Sequence, residues 1–196
     1  MPLILASTST YRAELLKKLG IPFLTAAPNV DESPLENESA QQLAFRLAEL
    51  KAKALKNNYP NHIIIGSDQV ATTPSGLILG KPGSHTKAKH QLSECSGKSI
   101  IFYTGLSVFN SQTNQVNTII DKYTVKFRNL SQKTIECYLE RERPYDCAGS
   151  FKMEGLGICL FEALEGKDPN TLIGLPLIDL VTMLEKEGIS ALQCDE

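Results

Sequence analysis

The sequence predicts an α/β fold with a mixed sheet, and three observations carry that prediction. Apolar, β-branched segments alternate with segments of helical periodicity along most of the chain, the pattern of strands interleaved with covering helices. The unbroken run Ile63-Ile64-Ile65 reads as a strand buried on both faces, as in a sheet with helices on either side. Residues 99–109 and 116–127 read as two long strands around an Asn110–Gln115 turn, a hairpin that adds antiparallel pairing.

The first strand is Leu3-Ile4-Leu5-Ala6, followed by the hydroxyl cluster Ser7-Thr8-Ser9-Thr10, which suits the cap of a helix running from about Thr10 to Leu19 and stopped by Gly20. Strand, hydroxyl loop and helix start together suit a phosphate, because free amides and the helix dipole point at it. Arg12 lies in that first turn, where the dipole disfavours a cation. It is either a solvated arginine or the partner of a bound anion. A short strand over residues 21–25 follows, then the loop Asn29-Val30-Asp31-Glu32-Ser33-Pro34, whose paired carboxylates are a solvated turn unless the loop folds back over the first strand.

Glu38-Ser39 opens a long helix through about Lys56. At 100° per residue Leu43, Ala44, Leu47, Ala48, Ala52 and Leu55 share one apolar face, with Lys51 near its middle. A lysine is seldom placed there. It either snorkels outward or turns into a cleft toward a negative partner, and the second reading is adopted. After the Ile63 strand, Gly66 allows close backbone approach, and Asp68 and Gln69 follow where the strand should emerge, the usual position for ligands in α/β sheets. Thr73-Pro74-Ser75-Gly76 is a turn, and Lys81, held between Gly80 and Pro82 at the end of a short strand, can be aimed. Further helices are expected from Ser84 to about Cys95, from Ser131 to about Arg141, and from Leu177 to Glu187. A glycine-bounded loop spans Gly149 to Gly155, a short strand covers residues 158–161, and Asp168-Pro169 starts a helix with Asp as cap. Residues 189–196 are expected to form a C-terminal tail, frayed from Ser190 onward. Residues 1–188 show no linker that would divide them.

Composition narrows the function classes. A formal net charge of −2 over 196 residues provides no general attraction to nucleic acid or to anionic membranes. Any phosphate ligand must be met by locally placed cations. The five cysteines are scattered and lack a CxxC pair, which fits a reducing compartment and disfavours a zinc site or disulfide framework. The opening residues lack the features of a signal peptide, and no apolar run is long enough to span a bilayer. A cytoplasmic protein is expected. His62, His85 and His90 have no ligand spacing and read as surface residues. Neither a nucleophile elbow nor a Walker loop is present.

The remaining candidates are the acids Glu32 and Asp68, the cations Arg12, Lys51 and Lys81, and the hydroxyl-rich helix start. Cations and amides suit a polyphosphate, and two carboxylates with phosphate oxygens suit magnesium or manganese. The set fits metal-assisted hydrolysis of a phosphoanhydride. Several segments also resemble one family: Leu-Ala-Ser-Thr-Ser-Thr-Tyr-Arg (5–12), Val-Asp-Glu (30–32), Leu-Ala-Glu-Leu-Lys-Ala (47–52), Gly-Ser-Asp-Gln-Val (66–70), Gly-Lys-Pro (80–82), Phe-Tyr-Thr-Gly (102–105), Gly-Ser-Phe-Lys-Met-Glu-Gly (149–155) and Asp-Pro-Asn-Thr-Leu-Ile-Gly-Leu-Pro (168–176). In this order and register they are similar to the Maf-like nucleotide pyrophosphatases.

The resemblance implies an elongated mixed sheet with flanking helices, two lobes and a central cleft (a Maf/ITPase-like fold), often as a homodimer. It implies cleavage of a nucleoside triphosphate between the α and β phosphates with a divalent metal, Mg2+ or Mn2+, held by Glu32 and Asp68. Ser7 and Arg12 match phosphate-contacting residues. Glu32, Lys51, Asp68 and Lys81 match the catalytic acids and lysines, Asp68 as general base. Ser-Asp-Gln and Lys-x-Glu-Gly resemble the 7-methyl-GTP subgroup, whose base choice would then fall to Tyr11, Gln69 and Glu154. A purine methylated at N7 is cationic and stacks on an aromatic ring, and Glu154 can accept from the guanine N1–H and amino group. Two departures stand out: Thr10 replaces the family's usual Pro, and Tyr11 replaces the Trp common in the subgroup. The other readings are a dTTP/UTP or broader pyrophosphatase of the same fold, and a nucleotide-binding regulator of cell division with little turnover.

Overall fold

Leu3 and Leu5 point to one side of their strand and Ile4 and Ala6 to the other, and Ile63/Ile65 and Ile64 repeat this alternation. Both sides are therefore apolar, and the chain covers both. The computed structural model describes residues 1–192 and contains seven strands and five α-helices among them. The strands are β1 (Leu3–Ala6), β2 (Phe23–Ala26), β3 (Ile63–Thr72), β4 (Ile78–Leu79), β5 (Ser99–Asn110), β6 (Gln115–Phe127) and β7 (Phe161–Gly166). The helices are α1 (Thr10–Lys17), α2 (Ala40–Ala54), α3 (His85–Cys95), α4 (Gln132–Glu142) and α5 (Leu177–Lys186). The sheet runs β2-β1-β3-β5-β6-β7, with β4 on β3. It is mixed, as expected: β1 pairs in parallel with β2 and β3, whereas β4 on β3 and β7 on β6 are antiparallel. The β5–β6 hairpin turns within residues 111–114.

The chain divides into two compact units. The first comprises Met1–Asp68, Thr104–Asp121 and Asp168 onward. One side of its strands buries Leu3, Leu5, Ile63 and Ile65 against α1 (Leu15, Leu16) and α5 (Leu180, Met183, Leu184). The other side buries Ile4, Ala6 and Ile64 with Ala52 and Leu55 of the α2 segment. Helix α2 starts at a capping box, Ser39 with Gln42, and its predicted apolar face is buried throughout.

Two glycines let α2 lie unusually close to the strands. A Cβ on Gly66 would lie 2.1 Å from Ala48 O, and one on Gly105 would lie 2.1 Å from Ala44 O. The same face of α2 carries Ala44, Ala48 and Ala52, so helix and strand backbones approach with no bulky side chain between them.

Helix α5 has no cap of its own; its N-cap position is Pro176. Asp168, fully buried, supplies the missing acceptor. Its Oδ2 takes the Ile178 N–H at 2.8 Å, while Oδ1 takes the Asn170 N–H and side-chain amide at 2.8 and 2.7 Å. One carboxylate thus caps both α5 and the 3-10 turn Pro169–Ile173. Asp168→Ala leaves these donors buried without an acceptor and is expected to destabilise the protein by about 3 kcal/mol. Urea denaturation of the variant checks this as a lower midpoint at unchanged m-value.

The second unit comprises Gln69–Tyr103 and Lys122–Lys167. Its centre is an aromatic cluster in which Phe102, Phe127, Phe151 and Phe161 pack edge to face, with centroids 4.8–5.7 Å apart. Helices α3 and α4 start at Ser84 and Ser131, whose hydroxyls cap them.

Two expectations need correction. Residues 156–160 form a 3-10 helix instead of a strand, and β7 begins only at Phe161. The Gly155 and Gly157 N–H groups both turn back to Lys152 O, which closes the segment on itself and takes its amides from the sheet. Second, β3 continues past Asp68 to Thr72, so Asp68 lies within the strand and not at its emergence. The pairing of β3 with β1 ends at Ile65, so it is the neighbouring strand that stops short. At the C-terminal end of the described chain, Ile189 packs on the core and its N–H bonds Leu184 O at 2.9 Å. The tail from residue 193, with Cys194, lies outside the described residues. Cys95, Cys137, Cys147 and Cys159 are free thiols, and among the described residues no helix is long and apolar enough to cross a membrane.

Candidate active site

In the first unit three candidate side chains meet, two carboxylates on one ammonium nitrogen. Lys51, projecting from the apolar face of α2, is 5% exposed, and its Nζ lies 2.7 Å from Asp68 Oδ1 and 2.7 Å from Glu32 Oε1. Asp68 on β3 is 7% exposed, whereas the Glu32 side chain is 58% exposed. The set therefore runs from a buried carboxylate, through a buried ammonium, to a carboxylate open to solvent. Lys51 turns inward to negative partners and does not snorkel. It can do so because α2 lies close enough, over Gly66 and Gly105, to bring its Nζ within hydrogen-bond range of Asp68.

Burial pushes the Asp68 carboxyl above its ordinary range, and the Glu32 charge pushes it the same way. The Lys51 ion pair and the Arg12 charge pull it down without cancelling the effect of burial. Such a carboxylate is more basic than one in water, as a proton acceptor near neutral pH requires.

Glu32 reaches Lys51 because its loop folds back, and two interactions anchor that loop. Arg46, one turn before Lys51 on α2, grips both oxygens of Glu38 at 2.6 and 2.8 Å and donates to Ser33 O at 3.0 Å. The Leu35 N–H also bonds Glu38. The Arg46 hydrogen bonds, with this amide, hold the Glu38 carboxyl down at about 2, so the clamp stays ionised. Of the adjacent acids only Glu32 joins the cluster; Asp31 accepts the Ser33 N–H at 2.9 Å.

The start of α1 lies in the same unit. Ser9 caps the helix by accepting the Arg12 N–H. Ser7 is buried, and its hydroxyl accepts the Ser9 N–H at 3.1 Å. Arg12 Nε donates to Gly174 O at 2.9 Å, and Nη1 makes a long contact of 3.5 Å with Ser7 Oγ. Gly174 O is also 2.8 Å from the buried Ser67 hydroxyl, which lies 2.8 Å from Gly105 O as well. Burial lowers the guanidinium pKa, while the Asp68 and Glu32 charges raise it; an arginine stays cationic in either case. Gly174 has φ 109°, and a Cβ there would lie 3.2 Å from Arg12 Nε, so a side chain at this position would strain the chain and crowd the guanidinium. The segment 168–176 thus acts as a strut that orients Arg12.

Hard oxygen donors are what Mg2+ or Mn2+ takes, typically one or two carboxylates completed by phosphate oxygens and water. Asp68 and Glu32 fit that role, since each gives Lys51 only one of its oxygens in the pair. Among the described residues no group of three or more His, Cys, Asp or Glu forms an all-protein metal cage.

Tyr11 is half-buried in the first turn of α1. Lys81, Gln69 and Glu154 belong to the second unit. Gln69 is half-buried on β3, and Lys81 is exposed in the loop after β4. Glu154 is exposed in a loop pinned to α4: Tyr138 Oη accepts the Lys152 N–H at 3.0 Å, and Glu142 Oε1 accepts the Leu156 N–H at 3.2 Å. Of the three histidines, His90 is exposed; His62 and His85 are half-exposed, and His85 bonds Glu136 and Tyr145. Sequence reasoning assigned no role to Arg46, Ser67 or Gly105. Arg46 carried a faint signal, a cation eight residues after Glu38; Ser67 and Gly105 lie within the motifs 66–70 and 102–105, which do not report contacts made through backbone carbonyls.

A family model described as "Maf-like protein" matches residues 2–187. Among curated proteins, a "7-methyl-GTP pyrophosphatase" from Vibrio vulnificus (strain CMCP6) is 56% identical over 190 residues, 97% of each chain. One of the same name from Aliivibrio fischeri (strain ATCC 700601 / ES114) is also 56% identical over 190 residues, 97% of this chain and 98% of that protein. Among solved structures, a HAM1 protein from Coxiella burnetii superposes with a TM-score of 0.56 at 15% identity, covering 95% of this chain and 99% of that one, a likeness of fold.

Proposed function

The chain belongs to the Maf-like family, and from that premise we propose that it hydrolyses 7-methyl-GTP to 7-methyl-GMP and diphosphate. The observation that carries the chemistry is the buried Asp68 carboxylate, raised in basicity and paired through Lys51 with Glu32. In this reading Asp68 takes a proton from the attacking water as the bond from that oxygen to the α-phosphorus forms. The bond from the α-phosphorus to the bridging oxygen breaks, and diphosphate leaves. Lys51 holds Asp68 in place and offsets charge that builds on the phosphates, and Lys81 is assigned the second such role. Arg12 and the Ser7 turn bind phosphate oxygens at the start of α1. A magnesium or manganese ion held by Asp68 and Glu32 would supply polarisation of the phosphoryl group.

Base choice is assigned to Tyr11, Gln69 and Glu154. Stacking of a cationic 7-methylguanine on Tyr11 contributes on the order of 1 kcal/mol. A carboxylate at Glu154 takes the guanine N1–H and amino group in charge-assisted bonds. The same reading takes the enzyme to be a cytoplasmic homodimer that acts on free nucleotides. Sedimentation and competition with RNA check the last two points.

The test is diphosphate release from 7-methyl-GTP, GTP, dTTP and UTP with magnesium or manganese. The expected result is a preference for 7-methyl-GTP over dTTP and UTP that falls about 10- to 100-fold in Glu154→Ala, the loss of charge-assisted hydrogen bonds. A preference for dTTP and UTP would overturn the base assignment and leave the phosphoanhydride chemistry standing. Bound nucleotide with no diphosphate release would overturn the chemistry as well.

A further inference from the structure

Within the second unit the loop that carries Lys81 and the loop that carries Glu154 come from different parts of the chain, yet one side chain is bonded to both. Gln91, in the middle of α3, donates its amide nitrogen to Gly80 O at 3.0 Å. Its amide oxygen accepts the hydroxyl proton of Ser150. A carbonyl only accepts, so the Gly80 contact decides which end of the amide is nitrogen, and the oxygen is left for the hydroxyl. Ser150 is fully buried, with φ 62°, and directly precedes Phe151 of the aromatic cluster. Four residues on is Glu154.

The Lys81 loop needs such a restraint. A Cβ on Gly80 would meet nothing within 4 Å, so the space on that side of the chain is open. At the far end of the loop the Gly83 N–H bonds Tyr145 O at 2.9 Å, and Ser84 caps α3. On the near side the contact made by Gln91 holds the peptide directly before Lys81.

We propose that Gln91 is a positioning residue that ties the Lys81 loop to the Glu154 loop, so that charge offset at the phosphates and recognition of the base are set by one side chain. This rests on the roles proposed for Lys81 and Glu154. The two arms can be cut separately. Ser150→Ala removes the hydroxyl on the Glu154 side and leaves Gln91 on Gly80. Gln91→Glu keeps an acceptor for Ser150 but has no N–H for Gly80 O. Gln91→Leu cuts both at nearly constant volume.

The experiment measures kcat and KM of these variants, with Lys81→Ala and Glu154→Ala alongside, for 7-methyl-GTP and UTP. Ser150→Ala is expected to lower the ratio of kcat/KM between the two nucleotides about tenfold, the effect of one hydrogen bond, with kcat for 7-methyl-GTP changed less than about threefold. Gln91→Glu is expected to lower kcat about tenfold for both nucleotides at an unchanged ratio. Gln91→Leu should show both losses. Should Gln91→Leu fail to fold, the two single-arm variants decide the matter. If Lys81→Ala and Glu154→Ala lose activity and selectivity while Ser150→Ala and Gln91→Glu match the wild type, the coupling is overturned. Equal loss of kcat and ratio in both single-arm variants also overturns it, because a general loosening does not separate the arms. Wild-type behaviour of Lys81→Ala and Glu154→Ala overturns the underlying role assignment instead, and the coupling proposal with it.

Discussion

Asp68→Asn is expected to lower kcat for 7-methyl-GTP hydrolysis by about 10³- to 10⁴-fold, the upper part of the range for removal of a general base. The variant keeps the shape of the side chain, and circular dichroism should show an unchanged fold. The pH profile distinguishes a proton acceptor from a residue that only holds geometry. Burial raises the Asp68 pKa, and the base must be ionised, so wild-type kcat should fall on the acid side at a pH above the ordinary aspartate range of about 4. The Glu32 charge contributes to the upward shift; Glu32→Gln should therefore move this acid limb to lower pH. For stability the sign runs against ionisation. Because the folded-state pKa is raised above the unfolded value, the contribution of this carboxyl is fully present below about pH 4 and is lost as pH rises through the folded pKa. Asp68→Asn should remove that component from the pH dependence of the melting temperature.

Gly66→Ala is expected to cost about 3 kcal/mol of stability and roughly 100-fold in kcat together. The new methyl would lie 2.1 Å from Ala48 O and 2.7 Å from Ala52 N, both backbone atoms of α2 that cannot rotate out of the way. The helix must shift, and Lys51 moves with it, away from its 2.7 Å contact with Asp68. Gly105→Ala, 2.1 Å from Ala44 O, should act in the same direction. Gly80→Ala is the control, because nothing lies within 4 Å of its Cβ. Urea denaturation and diphosphate release measured on the same preparations check the pairing of the two losses. A destabilised Gly66→Ala with full kcat would mean that the spacing between helix and strand does not set the Lys51 position.

What could be read from the sequence was what periodicity encodes. Lys51 stood out because six apolar residues defined a stripe with a cation in its middle, and burial of that stripe forces the side chain to find a partner. The Ile63 strand, the serine caps of α2, α3 and α4 and the long hairpin were legible for the same reason, since each is a local pattern. The 3-10 segment at 156–160 was not, because its amides are taken by Lys152 O, a contact that apolar content does not report. Gln91 was illegible in a different way. It acts through the Gly80 carbonyl, whose position depends on tertiary structure. Gln69 and Lys81 were picked out by their local setting and Glu154 by motif resemblance, whereas the meeting of Glu32, Lys51 and Asp68 is visible as geometry.

The Gly174 carbonyl has a consequence for the order in which the site can be completed during synthesis. Ser7, Arg12, Lys51 and Ser67 are all translated early, by residue 67 of 196, but the acceptor that orients Arg12 and Ser67 comes from residue 174. The whole of the second unit is made before it. A nascent chain therefore carries Arg12 without its aiming contact through most of elongation. Contacts of such long sequence separation form late and slowly. The first unit can be locally structured on the ribosome, but the start of α1 gains this orienting contact only near the end of translation.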